Sequence, residues 1–420
     1  MTLHRFVHIG DLHLGPNSRN ADRRAALDQI IAEQRTQPVA AWLIPGDLNH
    51  GRQTIEDKNY LTDRVIQMAD HAPVVIAYGN HDLPGDLDYL TRLHSAWPIY
   101  VVTRPEVLTV PLGTGGVAAI YVLPYPTRAG LIGAGVPSDG VVDAARGALD
   151  IMFMSAAAQL EEARKGGAVT LVIGHVNVAG SVSSSGQPNI GKEIEVDPAL
   201  LQRFGNIYIG LNHIHKGQAI AGAVYPGSVC RLDWGEVEEK HYLIVECAAD
   251  GSFQWWPQPI DVAPMYHVEG ELTRESFTWH LGDTPGDAPE SWDGCEVRVR
   301  YRYNAEEKAA LNVDLVAAPF AGAKRLEFDP IAVRTRAVRS PEVAAAVTLE
   351  AKVEAFVRMS GLPWGEGMET KFAALQNPDG AAFLTQVQQE LSGAVGSTQS
   401  RDGSASSVAV PDSDLAGVAL

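Results

Sequence analysis

Along the first hundred residues, short apolar runs alternate with stretches of helical periodicity. Phe6-Val7-His8-Ile9 ends in Gly10-Asp11-Leu12-His13, a helical stretch covers about Ala21–Gln34, and Val39–Ile44 ends in Pro45-Gly46-Asp47. A second helical stretch covers about Ile55–Ala69, and Pro73–Tyr78 then ends in Gly79-Asn80-His81-Asp82. Strands bounded by turn residues and separated by helices predict a layered βα sheet, whose ligand site lies at the carboxyl ends of its strands. The polar clusters sit at those ends. The next part is richer in strands: Val107–Val110, Val117–Leu123, Val169–Ile173, Asn206–Ile209 and His241–Glu246, with one helical stretch near Val141–Lys165. Val178–Glu193, rich in Gly and Ser, reads as a long loop.

After Trp255-Trp256-Pro257 the pattern shifts, and the run from Asp283 to Pro289 reads as a connector. Beyond it Glu296–Tyr303 alternates charged and apolar residues, as a strand with one wet face does. A helical stretch (Ala305–Leu311), a strand (Arg325–Phe328) and Pro330 complete a small α+β module. Ser340-Pro341 is an N-cap followed by proline at the first helical position, opening a helix to about Met359. A further helix is expected over Ala381–Leu391, and a disordered tail from Ser392. The expected class is α/β, with a main domain over 1–260, an α+β module over 261–335, a helical segment over 336–391 and the tail over 392–420.

At 420 residues, with 45% hydrophobic and 20% charged residues, the chain is long enough for two or three domains and unlike a disordered or fibrous protein. No apolar run reaches the ~18 residues of a membrane span and no signal peptide opens the chain, which reads as cytoplasmic. Cys230, Cys247 and Cys295 are odd in number and far apart, suggesting neither a disulfide framework nor a thiolate zinc site. A net charge of −18 argues against general coating of polyanions, so any contact with nucleic acid is local. The basic run Lys324–Arg339 reads first as a solvated face.

Five polar clusters carry the chemistry: Asp11-x-His13, Gly46-Asp47-x-x-His50, Gly79-Asn80-His81-Asp82, Gly174-His175 and His213-x-His215. Each follows an apolar run. Singly, such a cluster is more often a turn than a ligand set. Five in series point to a metal site, and oxygen donors mixed with imidazole suit Mn²⁺, Fe²⁺ or Zn²⁺ rather than calcium.

In order and context these motifs resemble the calcineurin-like metallophosphoesterase superfamily, whose fold is a two-sheet α/β sandwich holding a dinuclear metal centre. The resemblance implies Asp11, His13 and His215 on a first metal, Asn80, His175 and His213 on a second, and Asp47 bridging. His81 would be the catalytic histidine, protonating the leaving oxygen with its orientation supported by Asp82. The pair of divalent ions, most often Mn²⁺ with Mg²⁺, Fe²⁺ or Zn²⁺ as alternatives, would polarise the phosphate and activate a water.

Within that superfamily the segment Tyr225-Pro226-Gly227-Ser228 to Arg231-Leu232-Asp233-Trp234-Gly235-Glu236, followed by Lys240, is similar to the close of the phosphoesterase domain in the SbcD nucleases. His50, which helps position DNA in that family, and the stretch Ile190-Gly191-Lys192 to Gln218 match as well. The resemblance covers Leu3–Glu246 and implies a nuclease acting on DNA ends in double-strand break repair, dimeric, working with an SbcC-like coiled-coil ATPase that the 336–391 segment would bind. The 261–335 module would cap the site and contact DNA. A phosphoesterase for small phosphodiesters, nucleotides or phosphoproteins is the alternative, and a non-catalytic repair module a third.

One position departs from the family: Asn212 stands where glycine is usual, and asparagine's tolerance of left-handed backbone is expected to preserve the turn. Gly186 to Lys192 nearly spells a phosphate-binding loop, but Glu193 replaces the required Ser/Thr and no buried strand leads into it, so it is read as chance. Trp255 and Trp256 read as packing residues, and Asp233 as an internal partner for Arg231.

Overall fold

In the computed structural model the described residues are 2–16, 19–127, 141–184, 194–282, 286–334, 341–361, 367–369 and 372. They fall into two units, 1–333 and 334–420. In chain order the first unit holds β1 (His4–His8), α1 (Asn20–Gln34), β2 (Val39–Ile44), α2 (Ile55–Ala69), β3 (Val74–Ala77), β4 (Ile99–Val102), β5 (Glu106–Pro111) and β6 (Val117–Leu123). Then come α3 (Val141–Lys165), β7 (Val169–His175), β8 (Asn177–Val178), β9 (Glu195–Val196), α4 (Pro198–Leu201), β10 (Tyr208–Asn212), β11 (Gln218–Ile220) and β12 (Ala223–Tyr225). A hairpin of β13 (His241–Cys247) and β14 (Phe253–Pro259) ends the main fold.

Two six-stranded sheets form, ordered β14-β13-β1-β2-β3-β4 and β11-β12-β10-β7-β6-β5. Their central strands run parallel and are buried on both faces, which is why β2 reads as an unbroken apolar run rather than an alternation. Phe6, Leu43 and Val75 from one sheet pack against Ile120, Leu171 and Tyr208 from the other. α1 and α2 cover the outer face of the first sheet through Leu27, Ile30, Leu61 and Val65 against Trp42 and Ile44. α3 covers the second through Leu149 and Phe153 against Tyr121 and Val172. This is a helix–sheet–sheet–helix sandwich. All three cysteines are free and buried.

A four-stranded sheet follows, ordered β16-β15-β17-β18, from β15 (Met265–Leu272), β16 (Phe277–Leu281), β17 (Glu296–Asn304) and β18 (Arg325–Val333). Its dry face carries Val268, Val297 and Val299 against Val316 of α5 (Asp314–Ala317) and Phe320. Two expectations change here. The segment around Asp283–Pro289 joins strands of one sheet instead of two modules, and β18 runs through Pro330 rather than stopping before it. β18 is an edge strand, where a proline without N–H costs no ladder bond on the open side. The start of the basic run is also tied down: Lys324 and Arg325 both pair with Asp22 of α1.

In the second unit the single helix expected from Pro341 is two, α6 (Pro341–Ala345) and α7 (Leu349–Met359). Thr348 takes extended backbone and its side chain accepts from the Ala351 amide, an N-cap that starts a new helix. Residues 381–391, the tail, and the 185–193 stretch with the chance phosphate-loop match lie outside the described residues. Among the described residues no helix is long and apolar enough to cross a membrane.

Candidate metal centre

Each polar cluster follows a strand: Asp11 and His13 after β1, Asp47 and His50 after β2, Asn80, His81 and Asp82 after β3, His175 at the end of β7, and His213 and His215 after β10. The chain must turn at once, and it does so at a conformational cost. His13, Asp47 and His213 take positive φ of 49°, 51° and 104°, the kind of local strain that gathers at functional sites. Gly46, at φ 109°, packs so closely that a Cβ there would meet Nδ1 of His175 at 2.5 Å. The His13 backbone is gripped from both sides, its N–H donating to the Asp47 carbonyl at 2.9 Å and its own carbonyl accepting from the buried Arg23 guanidinium of α1.

The donor atoms of all seven expected ligands meet at this edge. Asp47 Oδ2 lies 3.4 Å from His13 Nε2 and 3.2 Å from His175 Nε2, between two groups. On one side His13 Nε2 is 3.2 Å from His215 Nε2. On the other, Asn80 Oδ1 is 2.9 Å from His175 Nε2 and 3.0 Å from His213 Nδ1. Asp11 lies beneath, its carboxylate accepting from the His213 amide and 3.7 Å from His175 Nδ1.

This donor set fits divalent metal ions. His175 Nδ1 faces the Pro45 carbonyl at 2.9 Å, which keeps a proton there and turns the Nε2 lone pair toward two oxygens. His215 Nδ1 likewise faces Glu236 Oε1 at 2.9 Å, leaving Nε2 as a lone pair toward His13. Lone pairs so close repel unless a cation lies among them, and imidazole nitrogen mixed with carboxylate and amide oxygen suits divalent transition metals. The charges agree. Burial pushes the Asp47 carboxyl up, but the positive fields of His175 and His13 outweigh it and hold it below the usual range. Burial lowers the His175 imidazole, and the Asp47 charge reverses that, raising it to about 9.

At the mouth, His81 and His50 stack with ring centres 4.8 Å apart, and His13 meets both rings edge-on or tilted. Burial lowers the His81 imidazole below its ordinary value. Asp82 does not support His81. Its carboxylate accepts from the amides of Asn49 and Gly79, tying the second motif to the third, because the chain turns its side chain inward after Asn80.

Asn212 also departs from expectation. It is the last residue of β10 and His213 takes the positive φ in its stead. Its amide donates to the Ile9 carbonyl at 3.2 Å and accepts from His8 Nε2 at 3.0 Å, so the side chain that replaces glycine links β10 to β1. Arg231 turns away from Asp233 and donates to the carbonyls of Ala263, Val237 and Glu238. Trp256 packs under Arg5, whereas Trp255 is 36% exposed.

Glu236, Lys240, Arg23 and Asn49 carried no role in the sequence. The segment Tyr225–Glu236 was visible as a pattern, yet nothing in it places the Glu236 carboxylate on the ring of His215.

The family model of calcineurin-like phosphoesterases matches residues 4–216. Over 254 residues the chain is 25% identical to a protein of Staphylococcus saprophyticus named as the SbcD component of the SbcCD nuclease, a match covering 58% of this chain and 65% of that one. A protein of the same name from Staphylococcus epidermidis is 24% identical over 58% of this chain and 66% of its own length. The match thus spans just under two thirds of either staphylococcal protein. The Escherichia coli K12 protein of that name is 25% identical over 328 residues, 72% of this chain and 80% of that one.

Proposed function

The chain belongs to the calcineurin-like phosphoesterase family, and from that premise we propose that it is a divalent-metal-dependent hydrolase of DNA phosphodiesters, a nuclease of the SbcD kind. The observation that carries this reading is Asp47 standing between two donor clusters, 3.4 Å from His13 Nε2 and 3.2 Å from His175 Nε2. His13 and His215, with Asp11 below, would hold one ion; Asn80, His175 and His213 would hold the other. When bound, two such ions polarise the phosphate oxygens and lower the pKa of water at the site.

The chain's own residues supply the rest. His81 stands at the mouth, half-buried, where its imidazole can give a proton to the departing oxygen. His50 stacks on it and limits its rotation. Asn80 contributes an uncharged oxygen, so it adds no negative charge to repel a phosphodiester. The matches to the three SbcD proteins support Mn²⁺ as the working ion, DNA as the substrate, a role in end processing and repair, and an SbcC-like ATPase partner. We assign the 261–335 module to capping and DNA contact and the 336–391 segment to partner binding, and we propose a homodimer in the cytoplasm.

The test is incubation of the purified chain with end-labelled linear duplex DNA and Mn²⁺, with and without EDTA, beside Asp47→Ala. Chelator-sensitive degradation absent from the variant supports the nuclease. Hydrolysis confined to small phosphodiesters, even with an SbcC-like ATPase added, overturns it.

A further inference from the structure

The segment that follows the last metal motif folds back and encloses His215. Ser228 donates its amide to the His215 carbonyl at 3.1 Å, and the next amide, of Val229, reaches the Asp11 carbonyl at 3.1 Å. Gly227, at φ 85°, runs so near that a Cβ would meet the His215 carbonyl oxygen at 2.6 Å. From this loop Glu236 extends Oε1 to His215 Nδ1 at 2.9 Å. Its other oxygen accepts from Ser228 Oγ at 2.9 Å and from Lys240 Nζ at 2.6 Å. Lys240 closes the ring by donating to the His215 carbonyl at 3.2 Å. Glu236, Lys240 and Ser228 are all buried.

A buried carboxylate and ammonium are costly to desolvate and are matched in stability by apolar side chains of similar size. A pair retained here points to a task beyond stability. The geometry gives one: the carboxylate fixes which His215 nitrogen holds the proton and in which plane the ring lies, while the lysine cancels its charge. Such partners of metal-binding histidines change metal affinity by ten- to a hundredfold. The second cluster is held differently, His175 facing the neutral Pro45 carbonyl.

We propose that Glu236, held by Lys240 and Ser228, is the positioning residue that aims His215 at the first cation, so that this brace sets the affinity of one of the two metal positions and leaves the other alone. The inference rests on the two-cation reading of the centre and on nothing about the substrate.

Its test uses Mn²⁺ alone with the metal-free full chain, following bound ion by electron paramagnetic resonance. The wild type is expected to take up Mn²⁺ in two phases, the second producing the spectrum of a coupled pair. In Glu236→Gln/Lys240→Met, which leaves no buried charge unpaired, one phase weakens ten- to a hundredfold and the other keeps its affinity. The coupled spectrum then gives way to that of an isolated ion at intermediate Mn²⁺. Glu236→Gln alone, with Lys240 still beside Glu238 at 3.3 Å, shifts the same phase. Unchanged phases, or equal weakening of both, overturn the brace. A wild type that binds no Mn²⁺ overturns the metal centre itself, and one that binds two ions yet cuts no DNA sinks only the nuclease reading.

Discussion

Asp82 accepts the backbone N–H of Asn49 at 2.9 Å, and its second oxygen accepts from Gly79 at 2.9 Å. A carboxylate beside a catalytic histidine is easily taken for its orienting partner, but here it joins two ligand loops. Asp82→Ala strands two buried amides and should cost about 2–3 kcal/mol of stability in the metal-free chain. Asp82→Asn keeps one acceptor and should cost less. Because neither touches His81, the residual activity of Asp82→Asn should keep the wild-type shape of its pH–rate profile. A lost or displaced acid-side limb would return Asp82 to the role first expected of it.

Asp47 and His81 should separate metal binding from chemistry. Asp47 is common to both donor groups, so Asp47→Ala is expected to lose most bound Mn²⁺ and all DNA cleavage. His81 meets the centre through ring packing against His13 and His50. His81→Gln should therefore retain both ions while cleavage falls by about 10²–10⁴-fold, the usual span for a lost general acid. Metal analysis by mass spectrometry beside a cleavage assay reads both, and equal metal content in the two variants contradicts the shared position of Asp47.

Gly46 is a sharper probe of the backbone. At φ 109° it admits no ordinary side chain without strain, and a Cβ would meet His175 Nδ1 at 2.5 Å and the Gly79 amide at 2.8 Å. Gly46→Ala should displace His175 and destabilise the chain by more than about 1 kcal/mol. Urea unfolding and Mn²⁺ titration check it together; a variant with wild-type values of both would show that this loop yields easily.

The strands buried on both faces and the five motifs were legible because each leaves a local mark: Val39–Ile44 is apolar throughout, and Asp11, Asp47 and Asn80 each follow such a run. What could not be read depends on distant partners. β4 and β14 are short or half-wet strands whose existence is decided by the neighbours they pair with. The break between α6 and α7 turns on one threonine adopting an N-cap. Glu236 lies 21 residues from His215, and no spacing rule connects them. Asn212 escapes a backbone argument because its role lies in its side chain, whose partners are on β1 and just beyond it.

His8 makes the last of these contacts testable through pH. It is fully buried between the sheets, with Nδ1 2.7 Å from the Tyr208 hydroxyl and Nε2 3.0 Å from Asn212 Oδ1. Burial lowers its pKa to about 4, and the bond to Asn212 recovers only part of that loss. Between pH 6.5 and about 4 the unfolded chain takes up a proton at His8 that the folded chain refuses. Stability from this group is therefore complete above pH 6.5 and is lost as pH falls, by about 3 kcal/mol at pH 4. Urea unfolding of the metal-free chain at about pH 7 and about pH 5, compared between wild type and His8→Gln, isolates this contribution. The wild type should lose about 2 kcal/mol more than the variant over that interval. Equal losses would mean that His8 is protonated in the folded chain, and that its ring does not rest on Asn212 and Tyr208 as a neutral group.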